Sequence, residues 1–195
     1  MNKNAPSIAN EKDQWKKLSI YKVPSQVTGL NKKAYKPQAI SFGPYHYGED
    51  NLKPMEVHKH RALLHFLKRC KMPIELIFQK LDQVAEELRD SYESLDPIWT
   101  NDKLKFLQMM ILDSCFILEV SRANDYVSDD DDNYDENDPV FGKNGQLYVM
   151  SYIKCDMLML ENQIPMTVLH TLMQVQTGKE VILMTTFSSV VYFHY

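Results

Sequence analysis

The residues able to do chemistry are few and poorly grouped. Glu56, His58, His60 and His65 lie close together in EVHKHRALLH. Two metal ligands on a helix must be three or four positions apart to share a face. Glu56 and His60 meet that spacing. His58 and His60 point apart, His60 and His65 are five apart, and no second cluster completes a ligand set. These histidines read as polar-face or packing residues. His46, inside GPYHYG, reads as a residue that shapes a turn or hydrogen-bonds backbone.

The other nucleophiles and acids read in the same way. Cys70, Cys115 and Cys155 are widely separated, and an odd count without CxxC spacing builds neither a disulfide framework nor a zinc site. Cys115 sits in the apolar run LDSCFILE, where burial raises a thiol's pKa and hides it. Ser114 lacks the flanking glycines of a nucleophile elbow. Asp113 and Glu119 interrupt the same apolar run. Buried acids need partners, and Lys59, Arg61 and the amides of Asn162 and Gln163 are the candidates. Glu161, Asn162 and Gln163 are expected to tie the end of a fourth helix to a fifth. The run DDDDNYDEND at 129–138 alternates possible calcium ligands, but it lacks the glycine and the glutamate that a calcium loop requires. No phosphate-cradling glycine loop and no dinucleotide fingerprint occurs. The sequence therefore gives no catalytic, cofactor-binding or metal site.

Helices must position these side chains. With 195 residues, 44% of them hydrophobic, the chain can bury a sizeable core. The net charge of -4 is unevenly spread. Lysines crowd residues 1–40, and the acidic run carries no base. A nucleic-acid partner needs a basic face, and these lysines lie on an extended N-terminus, so nucleic acid is not expected as a partner. No apolar stretch suits a secretory signal or a membrane span. The chain reads as soluble and cytoplasmic, with reduced thiols.

Residues 1–17 read as a disordered lysine-rich leader. Between 18 and 54, four prolines and three glycines rule out a long helix. SIYKVP and QAISFGPY are short extended pieces that could pair as a minor ribbon. Apolar spacing then predicts helices from Pro54 to Cys70, from Pro73 to Tyr92, and from a cap at Thr100 or Asn101 through Val120. The segment 124–139 is too polar to pack and reads as a disordered acidic surface loop. A fourth helix spans 145–159, broken near Asp156. Pro165 opens a fifth, which Gly178 ends. The fold class is mostly α, a helical bundle or array with a proline-rich N-terminal segment and at most a minor β ribbon.

Four blocks in order carry a family resemblance: IYKVPSQVTGLNKKAYKPQAISFGPYHYGEDNL at 20–52, MEVHKHRALLHFLKR at 55–69, ILDSCFILEV at 111–120 and DMLMLENQIP at 156–165. Together they resemble the plant family called domain of unknown function 247, over residues 18–178. The resemblance implies a largely helical fold. It also implies longer relatives, many with a hydrophobic C-terminal helix thought to anchor them in a membrane, and some linked to pollen self-incompatibility as recognition determinants. By that pattern the apolar stretch 179–195 reads as a truncation. Membrane contact would come only through an anchor this chain lacks. The expected role is non-enzymatic recognition of a protein partner. The alternatives are a hydrolase using Asp113, Glu119, Glu161 and the histidines, or a truncated copy without function.

Overall fold

The computed structural model describes residues 17–29, 31–124 and 134–178. The leader up to residue 16, the first half of the acidic run and the stretch 179–195 lie outside the described residues. Nine α-helices occur among the described residues. They are α1 (Ser25–Thr28), α2 (Glu56–Cys70), α3 (Ile74–Gln83), α4 (Ala85–Asp90), α5 (Pro97–Asn101), α6 (Lys103–Asn124), α7 (Lys143–Tyr148), α8 (Met150–Met157) and α9 (Met166–Thr177). The fold is mostly α, as the apolar spacing predicts. No strand occurs among the described residues, and the expected ribbon reduces to one parallel bridge between Ile20 and Tyr92.

Helix α6 is the axis of the array. Its apolar residues lie on most sides, so a central position is the only one that buries them. Phe106, Met110, Ile111, Cys115, Phe116 and Val120 are all buried. Helices α2, α3, α5 and α9 pack around it. Asp102 starts the helix: its Oδ1 accepts the Lys105 amide at 2.9 Å, one of the orphan donors of the first turn. At the other end of the array, Gly178 closes α9 in the left-handed conformation with φ 64°, as the sequence predicts.

Two predicted helices are divided. The single helix expected from Pro73 to Tyr92 breaks at Val84, whose φ of -111° and ψ of 9° are not helical. The bend lets both pieces bury their stripes, Ile77 and Leu81 in α3, then Ala85 and Leu88 in α4. The fourth helix breaks at Val149, between α7 and α8, and not near Asp156. The C-terminal end of the acidic run also departs from expectation. Tyr134 stacks on His65 at 3.9 Å and on Phe141 at 4.2 Å between ring centroids. Asp138 is buried and accepts the Val140 and Phe141 amides at 2.9 Å each.

The proline-rich segment reaches the core through Ile20, Ile40 and Phe42. Its passage at Gly43 is tight. Gly43 has φ +71°, and a Cβ there would lie 2.4 Å from the Gln163 carbonyl oxygen and 3.0 Å from the Tyr92 hydroxyl. Both a positive φ and a backbone wall therefore demand glycine. Gly43→Ala is expected to cost about 2–4 kcal/mol of folding stability, measurable by urea unfolding. A loss below about 0.5 kcal/mol would contradict the close approach.

Candidate functional site

The buried polar groups form one cluster where the N-terminal segment crosses the helices. Residues 38–43 run beside no neighbouring strand, so their amides need other acceptors. Three side chains supply them. Asp156 Oδ1 accepts Gln38 N–H at 2.9 Å, and Oδ2 accepts Ala39 and Ile40 N–H at 2.6 and 2.9 Å. Asn162 Oδ1 accepts Phe42 N–H at 2.6 Å. Asp113 Oδ2 accepts Gly43 N–H at 2.7 Å. Asn162 also donates through Nδ2 to the carbonyls of Ile40 and Asp156, both at 3.0 Å. All three side chains are almost wholly buried.

Helix α2 adds a cation to this cluster. Lys59 is 0% exposed. Its Nζ lies 2.7 Å from Asp113 Oδ1 and 2.7 Å from Glu56 Oε1, and it donates to Ser41 Oγ at 3.4 Å. Burial pushes the Asp113 carboxyl up to about 6, against the opposing pull of Lys59 and of the Gly43 amide. Burial also works against the Lys59 charge, but Asp113 and Glu56 outweigh it and raise the ammonium above its ordinary value. The pair is ionised at neutral pH and joins α2 to α6 under the N-terminal segment.

The sequence-predicted residues separate into distinct groups. Asp113 takes Lys59, one of its candidate partners. Arg61, the other cation considered, goes to Asp138. Glu119 lies on α6 beyond Asp113 and pairs with Arg69 and with Arg122, while Tyr134 donates its hydroxyl to it at 3.1 Å. Nothing in the spacing of Arg69 or Tyr134 points to Glu119, and the fold alone brings them together. Glu161 is far in function from either acid: its Oε1 accepts the Val23 amide. The expected tie from Glu161, Asn162 and Gln163 to the fifth helix is therefore corrected. Glu161 and Asn162 hold the N-terminal segment, while Gln163 donates back to the Met157 and Met159 carbonyls at 2.6 and 2.8 Å.

The histidines likewise do not converge. His60 is exposed and contacts the Glu56 carbonyl at 2.9 Å, and His58 pairs with Arg61 at 2.9 Å. His46 is buried, and it meets carboxylates where backbone was expected. Its Nδ1 is 2.8 Å from Glu49 Oε1 and its Nε2 is 3.6 Å from Glu161 Oε2. Among the described residues, no group of three His, Cys, Asp or Glu side chains is arranged to hold a metal ion. Cys115 is buried, and burial raises its thiol pKa well above the ordinary value. Ser114 donates its hydroxyl to the Met110 carbonyl at 2.6 Å within α6.

A surface groove lies beside the cluster. Tyr21, Val23, Val27 and Tyr35 of the N-terminal segment and Met157, Leu158 and Leu160 after α8 line a volume of about 740 Å³. These groove residues and those that build the buried cluster fall within the four blocks at 20–52, 55–69, 111–120 and 156–165. The family of domain of unknown function 247, described as plant protein of unknown function, matches residues 20–194. The chain belongs to this family. Among relatives of the family member, a UPF0481 protein of Arabidopsis thaliana is 37% identical over 159 residues, which cover 78% of this chain and 30% of that relative. The chain thus spans less than a third of that relative's length. No solved structure matches the family member. No helix among the described residues is long and apolar enough to cross a membrane.

Two measurements test the cluster. Asn162→Ala leaves the Phe42 amide and the Ile40 carbonyl unsatisfied in the interior. It is expected to cost about 2–4 kcal/mol, lowering Tm by roughly 5–12 °C; an unchanged melt would contradict the anchoring role. Asp113 sets a pH dependence. Its folded pKa lies above the ordinary 3.8, so the folded state holds the proton more tightly than the unfolded chain. Its contribution to stability is largest in acid and is lost as pH rises from about 4 to about 6. Urea unfolding is expected to show wild type losing stability relative to Asp113→Asn across that window. A pH-independent difference would refute it.

Proposed function

We propose that this family member is a non-enzymatic recognition protein that contacts another protein through the apolar groove. The observation that carries this reading is the groove itself. Tyr21 is 42% exposed, Leu158 54% and Leu160 66%, and they stand together around an open volume. Aromatic and large aliphatic side chains around a concavity are what a partner's anchor residues fill.

The disposition of the interior acids supports the same reading. Asp113, Glu119 and Asp156 are each engaged by a buried cation or by backbone amides, which is the chemistry of anchoring. A hydrolytic pair needs two carboxyl groups facing one substrate bond, and nothing in this arrangement favours that use. The recognition role that the resemblance implies for some relatives agrees with an apolar contact surface. A C-terminal anchor belongs, in the same way, to what longer relatives carry.

The test is affinity capture from plant extract with wild type and with Tyr21→Ser/Leu160→Asp, both positions being exposed. The expected result is a specific protein recovered with wild type and reduced at least about tenfold with the variant, with both proteins melting cooperatively; tenfold corresponds to the loss of about 1.4 kcal/mol of contact energy. Equal recovery with both proteins, or chaperones alone with either, would overturn the assignment.

A further inference from the structure

Ile20 is the first buried anchor of the described chain. Its N–H and that of Ser19 donate to the Ser91 carbonyl at 2.9 and 3.0 Å, and its own carbonyl accepts the Glu93 amide at 3.0 Å. Among the described residues the next buried side chain is Pro37, followed by Ile40. Between them α1 buries no residue at all. The hydrogen bonds of Tyr21 and Thr28 side chains are local, to Leu18 and Ser25 carbonyls. What joins residues 21–28 to the body of the protein is a pair of successive amides gripped by two carboxylates. Lys22 N–H donates to Glu93 Oε2 at 2.9 Å, and Val23 N–H donates to Glu161 Oε1. The Lys22 ammonium adds a contact over the Tyr45 ring at 5.1 Å. Glu161 is itself steadied by His46, which Glu49 holds from the other side.

We propose that residues 21–28 are a hinged flap, forming one wall of the groove, that Glu93 and Glu161 hold shut. A segment with almost no buried apolar contact and with exposed backbone bonds opens at much lower free energy than the core. Ile20 stays fixed through its bonds to Ser91 and Glu93 while Tyr21, Val23 and Val27 swing away from Met157, Leu158 and Leu160. The groove widens without any disturbance of Ile40 or Phe42, because those residues are held separately by Asp156 and Asn162. The flap is a property of the chain alone and stands whether or not the groove takes a partner.

Amide hydrogen exchange on the full chain tests it. In wild type, the Lys22 and Val23 amides are expected to exchange at least about a hundredfold faster than those of Ile40 and Phe42. Removing the two acceptors in Glu93→Ala/Glu161→Ala is expected to speed them by roughly a further tenfold or more, the value of a hydrogen bond to a charged group, with Ile40 and Phe42 unchanged. Glu161→Gln, which keeps an acceptor oxygen, is expected to retain wild-type exchange at Val23 within about threefold. Protection of Lys22 and Val23 equal to that of Ile40 in wild type would overturn the flap. Wild-type exchange in the double alanine variant would overturn the role of the two carboxylates. Because exchange is read without any partner, its failure leaves the capture experiment untouched, and the converse holds.

Discussion

A peptide segment that enters a protein interior without a neighbouring strand must find acceptors for its amides. That constraint shapes this structure. Residues 38–43 enter between helices, and Asp156, Asn162 and Asp113 accept five of their amides. Each of those side chains could do so only by being buried, and a buried carboxylate needs compensation. For Asp156 the compensation is the amides themselves. For Asp113 it is Lys59, whose own burial requires Glu56 as a second counter-ion. The charged groups inside the array thus follow from the path of one short segment. The same path brings Gly43 against the Gln163 carbonyl, so that a main chain and not a side chain closes the site.

The polar network also sorts the molecule mechanically. Ile40 and Phe42 are locked by hydrogen bonds that water cannot reach, in a medium where each is costly to break. Residues 21–28, only a short distance along the chain, rest on one exposed and one part-buried bond. Apolar burial follows the same division: α6 and its neighbours contain most of it, and α1 contains none. A recognition surface built at this boundary has a rigid floor at the end of α8 and an adjustable wall opposite.

How much of this could be read in the sequence follows from the physics of each signal. Helix α6 was legible because a run that is apolar on most sides has no alternative to a central position. The stop at Gly178 was legible because its chemistry is local, whereas the cap expected at Thr100 or Asn101 falls instead at Asp102, because both of those residues close α5. The breaks at Val84 and Val149 were not: neither residue is a helix breaker, and the bends answer to where the stripes must pack. Asp113 announced itself as a buried acid in need of a partner, and Lys59 was among the cations weighed. Asp156 gave no such sign. At the end of a helix it resembles a cap, and only the fold reveals that the amides it serves belong to residues 38–40. Arg69 and Tyr134 were hidden for the same reason, since their common partner Glu119 is reached by packing and not by spacing. The groove was invisible in principle, because its two sides are made of residues more than a hundred positions apart.

That separation carries a consequence for biosynthesis. The Ile40 amide and Asp156 are 116 positions apart in the chain. At ordinary elongation rates of about 5–20 residues per second, the acceptor leaves the ribosome on the order of ten seconds after the donor. During that interval Ile40 and Phe42 lack their hydrogen-bonding partners, and for the first part of it Phe42 also lacks Phe116 of α6, against which it packs. The nascent N-terminal segment must wait, with its apolar residues uncovered, for the part of the message that encodes its lock.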